Sequence, residues 1–131
     1  LVCLDTDFMV SLLRGDADAR SRAEEIDIGN ERTTTTPINA FELFLGAYLS
    51  ERREANLTTV RALLSNLELL QFDLRGCERA GSIEAGLRRR GQPIGVRDSM
   101  IAGIASRFEE TLLTRNAEHF SRVRELRIER W

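Results

Sequence analysis

Leu1-Val2-Cys3-Leu4-Asp5-Thr6-Asp7-Phe8 opens the chain with four apolar residues running straight into an acid, with no polar–apolar alternation. A strand buried on both faces reads this way, and parallel strands of α/β domains are buried on both faces. Thr6 or Asp7 offers a helix N-cap ahead of the apolar residues Phe8 to Leu13. Asp5 is thereby expected where a central strand ends and a helix begins. Ligands of open α/β sheets bind at that carboxyl end, so Asp5 is the first candidate site residue.

Working outward, the pattern alternates strands and helices. A weak, charged helix is expected over residues 17–27, with Ala19, Ala23 and Ile26 on one side, then a short β-branched strand from Arg32 to Thr36. Thr36-Pro37 combines an N-cap with proline at the first helical position, starting a helix that runs to about Ser50. Leu57, Val60, Leu63, Leu64 and Leu67 recur at helical spacing, and Leu69 to Asp73 reads as a third strand. Cys77, Ala80, Ile83 and Leu87 trace one face of a helix ending in Arg88-Arg89-Arg90-Gly91. After a loop from Gln92 to Gly95 come a helix from Val96 to about Phe108, a strand from Thr111 to Thr114, and a half-exposed last strand from Leu126 to Glu129. This order predicts a single α/β domain over residues 1–131, with a mostly parallel sheet and helices on both faces.

Composition narrows the function. Apolar residues make up 42% and charged residues 31%, which fits an ordinary globular domain and excludes a low-complexity chain. No apolar run is long enough to span a membrane and no signal-peptide pattern is present. Two cysteines, Cys3 and Cys77, give neither a disulfide framework nor a metal spacing, and a reducing cytoplasm is the expected location. All 19 basic residues are Arg, so chemistry that requires a lysine is excluded. Residues 1–70 carry 12 acids and 7 Arg, net −5, whereas residues 71–131 carry 9 acids and 12 Arg, net +3. The second half can therefore meet a polyanion locally.

Four polar residues stand in apolar company. Glu42 is the only charged side chain between Thr36 and Ser50 and shares a helical face with Ile38 and Leu45. An unpaired buried carboxylate costs several kcal/mol, so a cation or strong donor is expected near it. Asp98 lies on the face of Ile101, Ala102 and Ala105, where it could equally cap its helix. Asn116 follows the strand Leu112 to Thr114 as Asp5 follows the first, although an Asn there is also an ordinary turn residue. Asp7 reads as a first-turn acid, the lone His119 as a structural or surface residue, and Arg88-Arg89-Arg90 as a solvated helix end. Asp5, Glu42, Asp98 and Asn116 form an oxygen-only donor set. Such a set suits Mg²⁺ or Mn²⁺ rather than Zn²⁺ and points to metal-dependent phosphodiester chemistry.

These residues resemble the PIN-domain ribonucleases, specifically the VapC-type toxins of type II toxin–antitoxin pairs. The marks are Leu4-Asp5-Thr6, Glu42-Leu43 with Gly46-Ala47, Ile94-Gly95 with Asp98 and Ile101-Ala102, then Thr114-Arg115-Asn116 with Phe120. The closing Arg122-Val123, Leu126-Arg127-Ile128 and Trp131 also fit, so the resemblance covers nearly the whole chain. It implies a PIN-like three-layer fold with a sheet of four or five strands, and an endoribonuclease in which metal-activated water attacks RNA. Asp5 and Asp98 would hold Mg²⁺ or Mn²⁺, Glu42 would complete the shell or orient water, and Asn116, Thr6 and Thr114 would support them. Asn116 stands where many relatives carry Asp and others Asn, and an amide is a poorer ligand for a second metal ion. Arginines of the second half, Arg97 and Arg115 among them, would face phosphate of a transfer or ribosomal RNA. A homodimer and a small VapB-type antitoxin are the implied partners.

Three other readings of the residues stand beside this one. A PIN-like module that only binds RNA or a partner is the first. A haloacid-dehalogenase-type phosphatase is the second, with Asp5 as nucleophile and Asp7 as acid, although Phe8-Met9 follows where that family has Gly-Thr. The third, a structure-specific DNA nuclease of related fold, usually carries extra segments that a chain of this length lacks.

Overall fold

The apolar opening stretch becomes the middle strand of the sheet. The computed structural model describes residues Leu1–Trp131. Five strands, β1 (Val2–Leu4), β2 (Thr33–Thr35), β3 (Glu68–Leu69), β4 (Thr111–Leu113) and β5 (Arg127–Glu129), lie in the order β3-β2-β1-β4-β5. Every pairing is parallel. β1 carries neighbours on both edges and helices on both faces, and the burial of both faces is why its residues read as an unbroken apolar run.

Strand alternation divides the core into two layers. Cys3 and Leu112 face one side, against helices α5 (Leu74–Arg89), α6 (Val96–Arg107) and the short α7 (Ala117–Phe120). Val2, Leu4 and Leu113 face the other, against α1 (Thr6–Leu13), α2 (Ala17–Ile28), α3 (Pro37–Leu49) and α4 (Arg53–Ser65). The result is the expected three-layer α/β/α arrangement. The second layer closes on the C-terminal Trp131, whose ring meets Phe8 edge-on at 5.0 Å.

Three local expectations are corrected. Helix α1 begins at Thr6, and Asp5 itself is the N-cap, accepting from the Thr6 amide at 2.9 Å. The third strand is Glu68–Leu69 rather than Leu69 to Asp73. Leu70 still donates to the Thr35 carbonyl, but Asp73 is drawn into capping α5 through the Gly76 amide at 2.8 Å, which turns the chain out of the sheet. Cys77 is exposed, because α5 buries Gly76, Ala80, Ile83 and Leu87 instead.

The close packing of α5 on α6 sets the position of the α6 N-terminus. A Cβ built on Gly103 would lie 2.6 Å from the Ala80 Cβ and 2.7 Å from its backbone. Glycine is required there by the approach of two backbones, although alanine is the better helix former. Gly103→Ala should therefore lower stability by about 1–3 kcal/mol despite its propensity gain, measured by urea unfolding. An unchanged or raised midpoint would show that the two helices can separate freely.

Candidate active site

Strand register brings three chain positions level at the carboxyl edge of the sheet. Leu4 pairs with Leu113, and Cys3 with Thr34. The next residues on β1 and β4 are Asp5 and Thr114, while Thr36 caps α3 on the β2 side. The Thr114 hydroxyl lies 2.7 Å from Asp5 Oδ2 and 3.3 Å from Asp7 Oδ2. Asn39, wholly buried in the first turn of α3, donates from Nδ2 to Asp5 Oδ1 and to the Thr6 hydroxyl, each at 2.9 Å. Its amide oxygen accepts from the Thr36 hydroxyl at 2.7 Å, which fixes the direction of the amide. The Thr6 hydroxyl in turn donates to Glu42 Oε1 at 2.8 Å. One polar chain thus runs from the α3 cap through Asn39 and Thr6 to two carboxylates.

The opposite wall is built by α6 and α7. Asp98 stands in the first turn of α6. Its Oδ2 accepts from the Asn116 amide at 3.3 Å and lies 3.1 Å from His119 Nδ1. The Asn116 backbone N–H donates to the Thr114 hydroxyl at 3.0 Å, tying this wall back to Asp5. Asp5, Thr6, Asp7, Glu42, Asp98 and Asn116 all line one cleft of about 380 Å³, with Arg14 at its edge. The sequence candidates therefore converge. Glu42 is half-buried rather than enclosed, because its place on α3 faces the cleft.

Two arginines expected near phosphate have different surroundings. Arg97 NH1 is 3.8 Å from Glu42 Oε2, and its guanidinium lies over Phe41 at 5.3 Å, so it stays at the cleft. Arg115 turns away to Asp16 and Asp18, at 3.6 and 3.5 Å, and stacks on Trp131 at 4.5 Å. Its backbone N–H donates to Asp7 Oδ2 at 3.0 Å, so its contact with the site is made by the main chain.

Three members of the site were not singled out from the sequence. Asn39 lies three residues before Glu42, on the same face of α3, but an Asn in a first turn resembles a solvent-exposed residue. Asp7 reads as a first-turn acid, yet it lines the cleft and its Oδ1 is buried without a hydrogen-bond partner. His119 reads as a surface residue and instead touches both Asp98 and Asn116. Only the fold brings α7 against α6.

Burial pushes the Asp5 carboxyl up to about 7; the charges of Asp7 and Asp98 add to the rise, while the Thr114 and Thr6 donors oppose it. Burial raises Asp7 as well, against the Arg115 amide. Carboxylates held this way favour a cation among them. The donors are all oxygen, and the orphaned Asp7 oxygen leaves coordination capacity unused, so the residues fit a hard divalent ion. No three acidic, His or Cys side chains form a ready cage. Few protein ligands with water completing the shell is the arrangement Mg²⁺ favours.

Comparison with known proteins agrees with this geometry. The PIN domain family matches residues 2–126. The tRNA(fMet)-specific endonuclease VapC of Salmonella typhimurium is 36% identical over 108 residues, 82% of either chain. The protein of the same name from Shigella flexneri is 30% identical over 128 residues, 98% of this chain and 96% of its own. Among solved structures, VapBC2 from Rickettsia felis bound to a DNA fragment from their promoter superposes with a TM-score of 0.90. It is 27% identical, and the match covers 99% of this chain and 98% of that one.

The Asp5 shift has a signed consequence for stability. Between its ordinary value of 3.8 and about 7, the folded carboxyl keeps a proton that the unfolded chain has lost. Stability falls over that window as pH rises and is level above it. In metal-free protein, Asp5→Asn should raise stability by about 1–3 kcal/mol at pH 8 and by little at pH 4. Mn²⁺ should stabilise the wild type at pH 8 and not the variant. Urea unfolding in EDTA and in Mn²⁺ checks both, and an equal gain at the two pH values would remove the carboxylate charge as the cause.

Proposed function

The chain belongs to the PIN domain family, and we propose that it is a divalent-metal-dependent endoribonuclease of the VapC type, the toxin half of a toxin–antitoxin pair. The observation that carries this reading is the convergence of Asp5, Glu42, Asp98 and Asn116 on one cleft at the carboxyl edge of the sheet. Asp5 and Asp98, from the ends of β1 and the start of α6, would hold Mg²⁺ or Mn²⁺. When bound, such an ion neutralises phosphodiester charge and lowers the pKa of water.

The chain's own groups supply the rest. Glu42, with Oε1 held by the Thr6 hydroxyl, is placed to orient or accept a proton from the attacking water. Asn116 keeps the Asp98 carboxylate turned into the cleft through its Nδ2. Thr114 positions Asp5, and Arg97 at the rim offers a charge to the substrate phosphate. Cleavage of this kind leaves a 5′-phosphate and a 3′-hydroxyl.

The Salmonella and Shigella relatives are named tRNA(fMet)-specific endonucleases, and transfer RNA is the substrate class we assign here. A second cleft, of about 410 Å³ and lined by Val10, Leu13, Leu43 and Val60, shares Glu42 and Arg14 with the acidic one. It suits a segment of a VapB-type antitoxin that lies on apolar surface and reaches the acids. Phe41 and Tyr48, seven residues apart on α3, are both about half exposed, at 52% and 51%. That face supports pairing of two copies. No helix is long and apolar enough to cross a membrane, which fits the cytoplasmic location we assign.

A phosphatase with Asp5 as nucleophile is disfavoured, since both its oxygens accept hydrogen bonds and Asp7 is engaged by Thr114 and Arg115. The test is incubation of the purified, antitoxin-free protein with bulk transfer RNA in Mg²⁺, Mn²⁺ or EDTA, alongside Asp98→Asn. Discrete 5′-phosphorylated fragments should form with either ion and vanish in EDTA. The variant should lose about 100-fold or more, since groups behind metal ligands alone are worth about 10–100-fold. Cutting that survives both EDTA and Asp98→Asn would sink the reading. RNA binding with no cutting at all would leave a binding module.

A further inference from the structure

A nuclease whose catalytic cleft is lined by four carboxylates repels its substrate until a metal is bound. The polyanion must then be held largely by positive charge elsewhere, since of the arginines nearest the cleft only Arg14 is free of a carboxylate partner. Arg97 pairs with Glu42, and Arg115 with Asp16 and Asp18.

The largest group of arginines without carboxylate partners lies in one place. Two clefts of about 540 and 340 Å³ share Ser82, Ile83 and Glu125 and form a continuous groove between the outer face of α5 and the segment that leads into β5. Seven arginines line it against two glutamates, Glu78 and Glu125. Of these, Arg107 and Arg122 are committed to Asp73 and Glu118, whereas Arg75, Arg79, Arg89 and Arg124 have no carboxylate within ion-pair distance. From Arg75 to Arg90 the groove follows about 22 Å of helix, the length of several nucleotides.

One end of this groove leads to the active site. Arg90 donates to the Arg122 carbonyl at 3.0 Å, and Arg122 NH1 donates to the Pro93 carbonyl at 3.1 Å. The Arg122 amide bonds the carbonyl of His119, the residue that touches Asp98. The Arg122 end of the groove is therefore joined through His119 to the Asp98 wall of the acidic cleft, with the exposed Glu118 at the junction, 3.7 Å from Arg122.

We propose that this arginine groove along α5 is a second RNA-binding site, which grips the phosphate backbone flanking the bond to be cut. Arginine suits the task because its planar fork binds phosphate bidentately and stays charged. The groove reads no bases; it supplies affinity that grows with substrate length and weakens with salt. The site deepens the endoribonuclease reading and rests on it for its biological role, but its binding can be measured without cleavage.

The test uses bulk transfer RNA as probe, in an Asp98→Asn background that keeps the RNA intact. Arg79→Gln, Arg89→Gln and Arg124→Gln are introduced together and compared with the three corresponding lysine substitutions. The glutamine set should weaken binding at least ~10-fold and lower the slope of log affinity against log salt by about 2, as three lost phosphate contacts require. The lysine set should keep the slope. Unchanged affinity and slope in the glutamine set would overturn the proposal, and so would a loss that lysine does not restore. Wild-type RNA binding together with lost retention of an oligo-aspartate peptide would assign the groove to an acidic protein segment instead. If the wild-type protein cuts nothing in the cleavage assay above but the glutamine set still loses RNA, the nuclease reading fails and the groove stands. If RNA is cut and binding is indifferent to the substitutions, only the groove fails.

Discussion

Everything at the site depends on keeping one carboxylate, Asp5, 7% exposed at the end of the central strand. An acid so placed must be either protonated, hydrogen-bonded or paired with a cation. The chain does all it can with donors: the Thr6 amide, the Asn39 amide and the Thr114 hydroxyl all point at it. They do not suffice, and the carboxyl remains well above its ordinary range. The remaining demand is for positive charge, and with Asp7 and Asp98 adding to it, a divalent ion is the economical answer. The site is held in tension by its own fold until that ion arrives.

The fold makes the tension possible by ending three parallel strands together and starting helices at the same level. α1, α3 and α6 all begin there, and each brings an acid in its first two turns: Asp7, Glu42 and Asp98. Helix N-termini tolerate negative charge, which partly offsets the crowding. Asp98 reaches this edge only because α6 packs backbone to backbone on α5 at Gly103 and Ala80. A core contact between two helices thus sets the far wall of the acidic cleft.

Charge is separated on the same scale. The acids collect at the sheet edge, and the arginines collect along α5 and the chain after α7. Formal net charge, −2 over the whole chain, conceals both. On the proposed reading, the separation would let a polyanion be gripped beside a centre that otherwise repels it.

The sequence by itself determined the layer architecture and most of the acidic centre. Buried parallel strands have a one-dimensional signature in Val2 to Leu4 and Leu112 to Leu113, and a carboxylate such as Glu42 is conspicuous among Phe and Leu neighbours. Helix caps were legible where a single local bond defines them, as at Thr36-Pro37, but not where two residues compete, as at Asp5 and Thr6. The third strand was overestimated because the apolar Leu69, Leu70 and Phe72 also serve as the approach to α5. Asn39, Asp7 and His119 had no local mark, since an amide, a first-turn acid and a lone imidazole gain meaning only from what they touch. The partners that draw them into the site, Asp5 for Asn39, Arg115 for Asp7 and Asp98 for His119, lie 21 or more residues away in the chain. Strand register and helix packing alone decided those contacts, because they fix which turns meet, and a pattern of nearest neighbours carries no information about that.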